Sequence, residues 1–120
     1  MAAESWSYTS GTSDIALLGL TIGDMFDRTA TQYAHNEALV SRHQNLRYTY
    51  HQLQQEVDRC ARALIALGIE KGQRVGIWAP NCAEWTIVQF ATAKLGAILV
   101  NINPSYRRSE ERRVGKECRL

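Results

Sequence analysis

Thr9-Ser10-Gly11-Thr12 is the stretch of this chain whose residue types come nearest to a phosphate-holding loop. Such loops cradle a triphosphate with exposed backbone N–H groups and hydroxyls, and a Lys or a further Gly close behind meets the charge. Here Ser13-Asp14-Ile15 follows instead, so Asp14 places a negative charge where phosphate would sit, and no strand-like run precedes the segment. The Walker pattern and GxGxxG are both absent, and the segment reads as part of an extended lead-in.

The other chemistry-bearing residues read as structural. His35, His43 and His51 each lie in polar surroundings near turns or a helix start, without a metal-like partner four residues on. Cys60, Cys82 and Cys118 are odd in number and widely spaced, with no CxxC, which argues against a disulfide framework or a zinc site and for reduced thiols in a cytosol-like compartment. Cys60 falls in a helical apolar stripe and is expected to be a small core residue. Glu84 suits the positive end of a helix, and Trp78 and Trp85 are expected to act as packing anchors. No catalytic, cofactor-binding or metal-binding residue is assigned.

The elements that carry these residues follow from pattern. Residues 1–20 lack a clear period. A helix is expected from Thr21, where Thr-Ile-Gly-Asp forms an Asp variant of the capping box, with Ile22, Met25, Phe26, Thr29, Ala30 and Tyr33 on one face. Ala38–Ser41 and Leu46–Thr49 read as a hairpin joined by the polar Arg42–Asn45. A longer helix runs from about Tyr50 to Leu67, with Tyr50, Leu53, Val57, Cys60, Leu64 and Leu67 in one stripe and Gly68 as its left-handed cap. Arg74–Ala79 is a strand stopped by Pro80; Asn81 is expected to cap a helix over Cys82–Leu95 that Gly96 closes. Ala97–Asn101 is a continuously apolar strand, expected to be covered on both faces. Strand, helix and strand in about thirty residues make a parallel βαβ unit, so the fold class is α/β.

Composition bounds the function. The chain has 120 residues, 45% hydrophobic and 22% charged, with a formal net charge of +2. Arg107–Leu120 holds six Lys/Arg and three Asp/Glu, which leaves Met1–Tyr106 with a net charge of −1. A nucleic-acid partner is therefore not expected, since no basic face spreads over the body. No Lys or Arg precedes Arg28 and the apolar patch Leu17–Leu20 is short, so neither a signal nor a transit peptide is expected. Thr86–Val100 is interrupted by Gln89 and Lys94 and falls short of the roughly 18 apolar residues of a transmembrane segment. A soluble, cytoplasmic protein is the expectation.

Four stretches carry a resemblance. They are Thr-Ile-Gly-Asp-Met-Phe-Asp-Arg-Thr-Ala at 21–30 with Glu-Ala-Leu-Val at 37–40; Tyr-Thr-Tyr-His-Gln-Leu at 48–53; Leu-Gly-Ile-Glu-Lys-Gly-Gln-Arg-Val-Gly-Ile-Trp-Ala-Pro-Asn at 67–81; and Ala-Lys-Leu-Gly-Ala-Ile-Leu-Val-Asn-Ile-Asn-Pro-Ser-Tyr-Arg at 93–107. In this order they resemble the opening of the adenylate-forming superfamily, which includes acyl-CoA synthetases, luciferases and peptide-synthetase adenylation domains. Asn103-Pro104-Ser105-Tyr106-Arg107 is closer to the fatty-acyl-CoA synthetases, and the lead-in with Ser7-Tyr8 and Gly11-Thr12-Ser13-Asp14 looks like their medium-chain subgroup.

The resemblance implies a two-step ligase. A carboxylic acid attacks the α-phosphate of ATP to give acyl-AMP and pyrophosphate, and CoA thiolate then displaces AMP, with Mg²⁺ and a Lys stabilising phosphoryl charge. The family's phosphate loop, adenine and ribose contacts and catalytic Lys lie downstream of residue 107 in relatives, so none is carried over. The expectation is a fragment: a lead-in over 1–20, a partial AMP-binding domain over 21–107, and a non-native tail over 108–120, which resembles a translated sequencing adapter. ATP, Mg²⁺ and CoA belong to the parent, and this chain alone is expected to be inactive. The alternatives are another adenylate-former, such as an aryl-CoA ligase or luciferase-like protein, and a standalone α/β binding module.

Overall fold

Thr21 opens the first helix as expected. In the computed structural model, which describes residues 11–106, its hydroxyl accepts from the Asp24 backbone N–H at 3.1 Å and donates to the Asp24 carboxylate at 2.8 Å. The helix α1 runs Ile22–Gln32, followed by the strands β1 (Glu37–Ser41) and β2 (Leu46–Thr49), which pair antiparallel. Asn45 takes a left-handed φ of 53°, the conformation Asn tolerates best among non-glycine residues, and so closes the hairpin.

The helix α2 (Tyr50–Ala66) starts from a full capping box. Thr49 accepts from the Gln52 N–H at 3.2 Å, and Gln52 Oε1 accepts from the Thr49 N–H at 2.9 Å. The Thr-x-x-Gln spacing at 49–52 is the sequence signature of this cap. At the other end Gly68, with φ +89°, lets Ile69 and itself donate back to Leu64 and Ile65, a Schellman closure. Leu67, placed in the apolar stripe by spacing, is the C-cap residue of α2 and is 80% exposed.

Strand β3 (Arg74–Ile77), helix α3 (Ala83–Leu95) and strand β4 (Ile98–Asn101) form the expected βαβ unit, with β3 and β4 parallel. The core lies between the helices, where Phe26, Leu53, Val57, Ala61 and Ala91 are buried together. Phe26 and Phe90 stack with ring centroids 4.4 Å apart.

Three expectations are corrected here. Ile22 is exposed and outside the buried face of α1, because the helix meets its neighbours through Gly23, Phe26 and Ala30. The β3–β4 sheet is covered on one face only. Ile77 is buried and Val75 and Leu99 are half-buried, while Trp78, Ile98 and Val100 on the other side are 55, 47 and 40% exposed. Trp78 is consequently no packing anchor: it lies past the end of β3, and helix α3 packs against the opposite face. Trp85, by contrast, is half-buried.

Candidate functional site

The side-chain hydrogen bonds that span the longest sequence separations among the described residues lie where elements cross. The α1 residue Gly23 lies so close to α3 that a Cβ there would sit 3.1 Å from both Cα and Cγ of Lys94. One turn further on, the Asp27 carboxylate accepts from the Lys94 ammonium at 2.8 Å and from Gln54 of α2 at 2.7 Å. Lys94 also donates to Asp58, one turn beyond Gln54. A single ammonium with only 19% of its side chain exposed thus joins three helices.

Burial pushes the Asp27 carboxyl upward, but hydrogen bonds from Lys94 and Gln54, with the Lys94 charge, outweigh it and hold the group below the usual range. Burial likewise disfavours charge on Lys94, and its bonds to Asp27 and Asp58 overcome that and raise it. Sequence reading saw Lys94 only as an interruption of an apolar run. A charged residue at the inner face of an otherwise apolar helix was the available signal.

A second polar crossing fastens the hairpin to α3. Cys82, not Asn81, is the N-cap residue of α3, and its side chain makes no capping bond. The cap comes from Gln44 in the hairpin turn, whose Oε1 accepts from the Ala83 N–H at 2.7 Å and from Ser41 Oγ at 2.7 Å. Gln44 Nε2 donates to Glu84 at 2.8 Å, and that bond leads the effects lowering the Glu84 carboxyl. Glu84 therefore has a specific partner as well as its favourable place in the first turn.

The remaining candidates stay apart. His35, His43 and His51 are exposed; the His43 ring meets Ser41 at 3.4 Å and the His51 ring meets Gln55 at 3.2 Å. Cys60 packs against the core, where burial pushes its thiol up. Thr9, Ser10 and Cys118 lie outside the described residues, as does the expected tail over 108–120. Gly11 and Thr12 are exposed, with nothing within 4 Å of where a Gly11 Cβ would point. Among the described residues no three His, Cys, Asp or Glu converge on a possible metal position. Asp27 and Asp58 face an ammonium, so these residues do not fit Mg²⁺.

An apolar groove of about 410 Å³ lies beside α1. Leu18 and Leu20 line it ahead of α1, Met25 and Phe26 line it from α1, Tyr50 from α2 and Phe90 from α3.

Comparison with known proteins places this architecture. The family model described as AMP-binding enzyme matches residues 26–120. The chain belongs to the AMP-binding enzyme family. Within this family it is 45% identical over 104 residues to the "Medium-chain acyl-CoA ligase ACSF2, mitochondrial" of Rattus norvegicus, covering 87% of this chain and 17% of that protein. It is also 45% identical over 94 residues to the "Putative acyl-CoA synthetase YngI" of Bacillus subtilis, covering 78% of this chain and 17% of that protein. Among solved structures, a Mycobacterium tuberculosis fatty acyl CoA synthetase superposes with a TM-score of 0.75 at 37% identity, over 78% of this chain and 19% of that one. The chain therefore spans about a sixth of the length of the curated relatives it matches. The adenylate-forming resemblance, its acyl-CoA synthetase branch and the α/β class all agree with these matches.

Proposed function

We propose that this chain is the N-terminal structural portion of an ATP-dependent fatty-acid–CoA ligase of medium-chain type. The observation that carries this reading is the 45% identity to a medium-chain acyl-CoA ligase, sustained over 104 residues. The whole protein would take a carboxylic acid, ATP with Mg²⁺, and CoA. It would make acyl-AMP with release of pyrophosphate, then the thioester with release of AMP. In this reading the described residues contribute scaffold: the polar crossings at Lys94 and Gln44 fix α1 and the hairpin against α3. By itself the chain is expected to be inactive.

For the compartment we infer a reducing one, supported by the free thiols Cys60 and Cys82. The cytoplasm was the expectation, whereas the rat relative carries "mitochondrial" in its name. No helix among the described residues is long and apolar enough to cross a membrane. The boundary at 107/108 and the adapter-like reading of the tail remain part of this proposal, and genomic sequence running through these codons would overturn the latter.

A chimera tests the functional reading. Residues 21–106 would replace the aligned segment of the Bacillus subtilis relative, and pyrophosphate release would be followed with decanoate, ATP and CoA. The chimera is expected to turn over within about tenfold of its parent, an allowance of about 1.4 kcal/mol in the barrier. The 120-residue chain alone should release no pyrophosphate above background. A folded chimera without turnover, or steady turnover by the short chain, would contradict the proposal.

A further inference from the structure

We propose that Lys94 is a charge-operated latch for α1: removing its charge loosens α1 and the apolar groove it lines, while α2 and α3 stay packed on one another. The geometry separates the two attachments. On α1, Gly23 and Asp27 lie one turn apart on the face that meets Lys94, with Gly23 against its Cα and Cγ and Asp27 2.8 Å from its Nζ. On α2, Asp58 takes the same ammonium, and Gln54 braces Asp27. Helices α2 and α3 meet through Val57, Ala61 and Ala91 in the core cluster that α1 joins through Phe26, stacked on Phe90, so they depend on the charge to a smaller degree.

Loss of the ammonium leaves Asp27 and Asp58 facing each other without a cation, and the bond from Gln54 is then the remaining polar tie of Asp27 to α2. Two carboxylates left together at a half-buried site repel, which pushes on α1 because that helix enters the core cluster through Phe26 alone, whereas α2 enters it through Leu53, Val57 and Ala61. The groove depends on the same docking. Its Ile22, Met25 and Phe26 come from α1, whereas Phe90 comes from α3 and Tyr50 from α2. Loosening α1 therefore loosens one wall against the others.

Hydrogen exchange on the full 120-residue chain resolves the two attachments. Lys94→Met keeps an unbranched stem against Gly23 and removes only the charge. Amides of Phe26–Ala30 in α1 should then exchange at least about tenfold faster, while those of Leu53–Ala61 in α2 stay within about threefold of the unmodified chain. Lys94→Arg, which keeps the charge, should restore protection of α1. Asp27→Asn, which leaves the Lys94–Asp58 pair in place, should loosen α1 selectively but less, and it carries the test if Lys94→Met does not fold. Equal acceleration in both helices, or none in α1, would overturn the latch in either variant.

Discussion

The helical side of this molecule and its parallel sheet differ in how fully they are enclosed. Between the helices, Phe26, Val57 and Ala91 are buried, and the polar groups at the crossings find partners in Lys94 and Gln44. The β3–β4 sheet is also rich in apolar residues but buries only one side. Gly76 on its outer side is covered merely by the tip of Ile102, and Ile98 and Val100 stand exposed beside it. An apolar strand run thus records a capacity for burial on both faces, whereas a helix stripe with satisfied polar crossings records burial already achieved. In a chain that spans about a sixth of its relatives' length, that difference separates the self-contained region from the open one.

The largest effect should come from the enclosed side. Phe26→Ala removes a ring that is 5% exposed and stacked on Phe90, and it should cost about 3–5 kcal/mol in urea unfolding. A loss under about 1 kcal/mol would mean that the helical region is not closed around this ring.

Gln44→Ala sharpens the comparison at the seam between hairpin and α3. It takes away the acceptor for the Ala83 N–H and the donor to Glu84, and a loss of about 1–2 kcal/mol is expected by the same measurement. Asn81→Ala should change little, since Asn81 is exposed and is not the capping residue.

The smallest of these effects is electrostatic and depends on pH. Asp27 faces Lys94 from α3 and Gln54 from α2, with Asp58 sharing the ammonium, and its carboxyl is held below the ordinary value of about 3.9. A depressed carboxyl contributes stability above its unfolded pKa and loses it as pH falls through the lowered folded value. The deficit of Asp27→Asn should therefore be steady from about pH 7 to 5 and shrink below about pH 4, by under about 1 kcal/mol because the group is partly exposed. Lys94, raised in turn, should lose its share only as pH rises above about 10.4. Unfolding curves across this range check both signs.

Local chemistry was legible in the sequence and long-range chemistry was not. Thr21 with Asp24, and Gly68 and Gly96 at helix ends, act over three to five residues, so spacing alone reveals them. Gln44 caps a helix 39 positions away, and Lys94 reaches Asp27 across 67 and Asp58 across 36. No periodicity encodes such pairs, because they follow from how finished elements cross. The exposure of Trp78 and Leu67 was illegible for a related reason: apolar character states what a residue favours, and the packing of neighbouring elements decides whether it is met.

Ile77 and Ile98 provide the most direct test, because they are the same residue type on the two faces of one small sheet. Ile77 is 8% exposed and Ile98 is 47% exposed. In urea unfolding of the 120-residue chain, Ile77→Ala should lower stability by about 2–4 kcal/mol and Ile98→Ala by less than about 1 kcal/mol. Equal losses at the two positions would contradict the division between a closed helical side and an open sheet face.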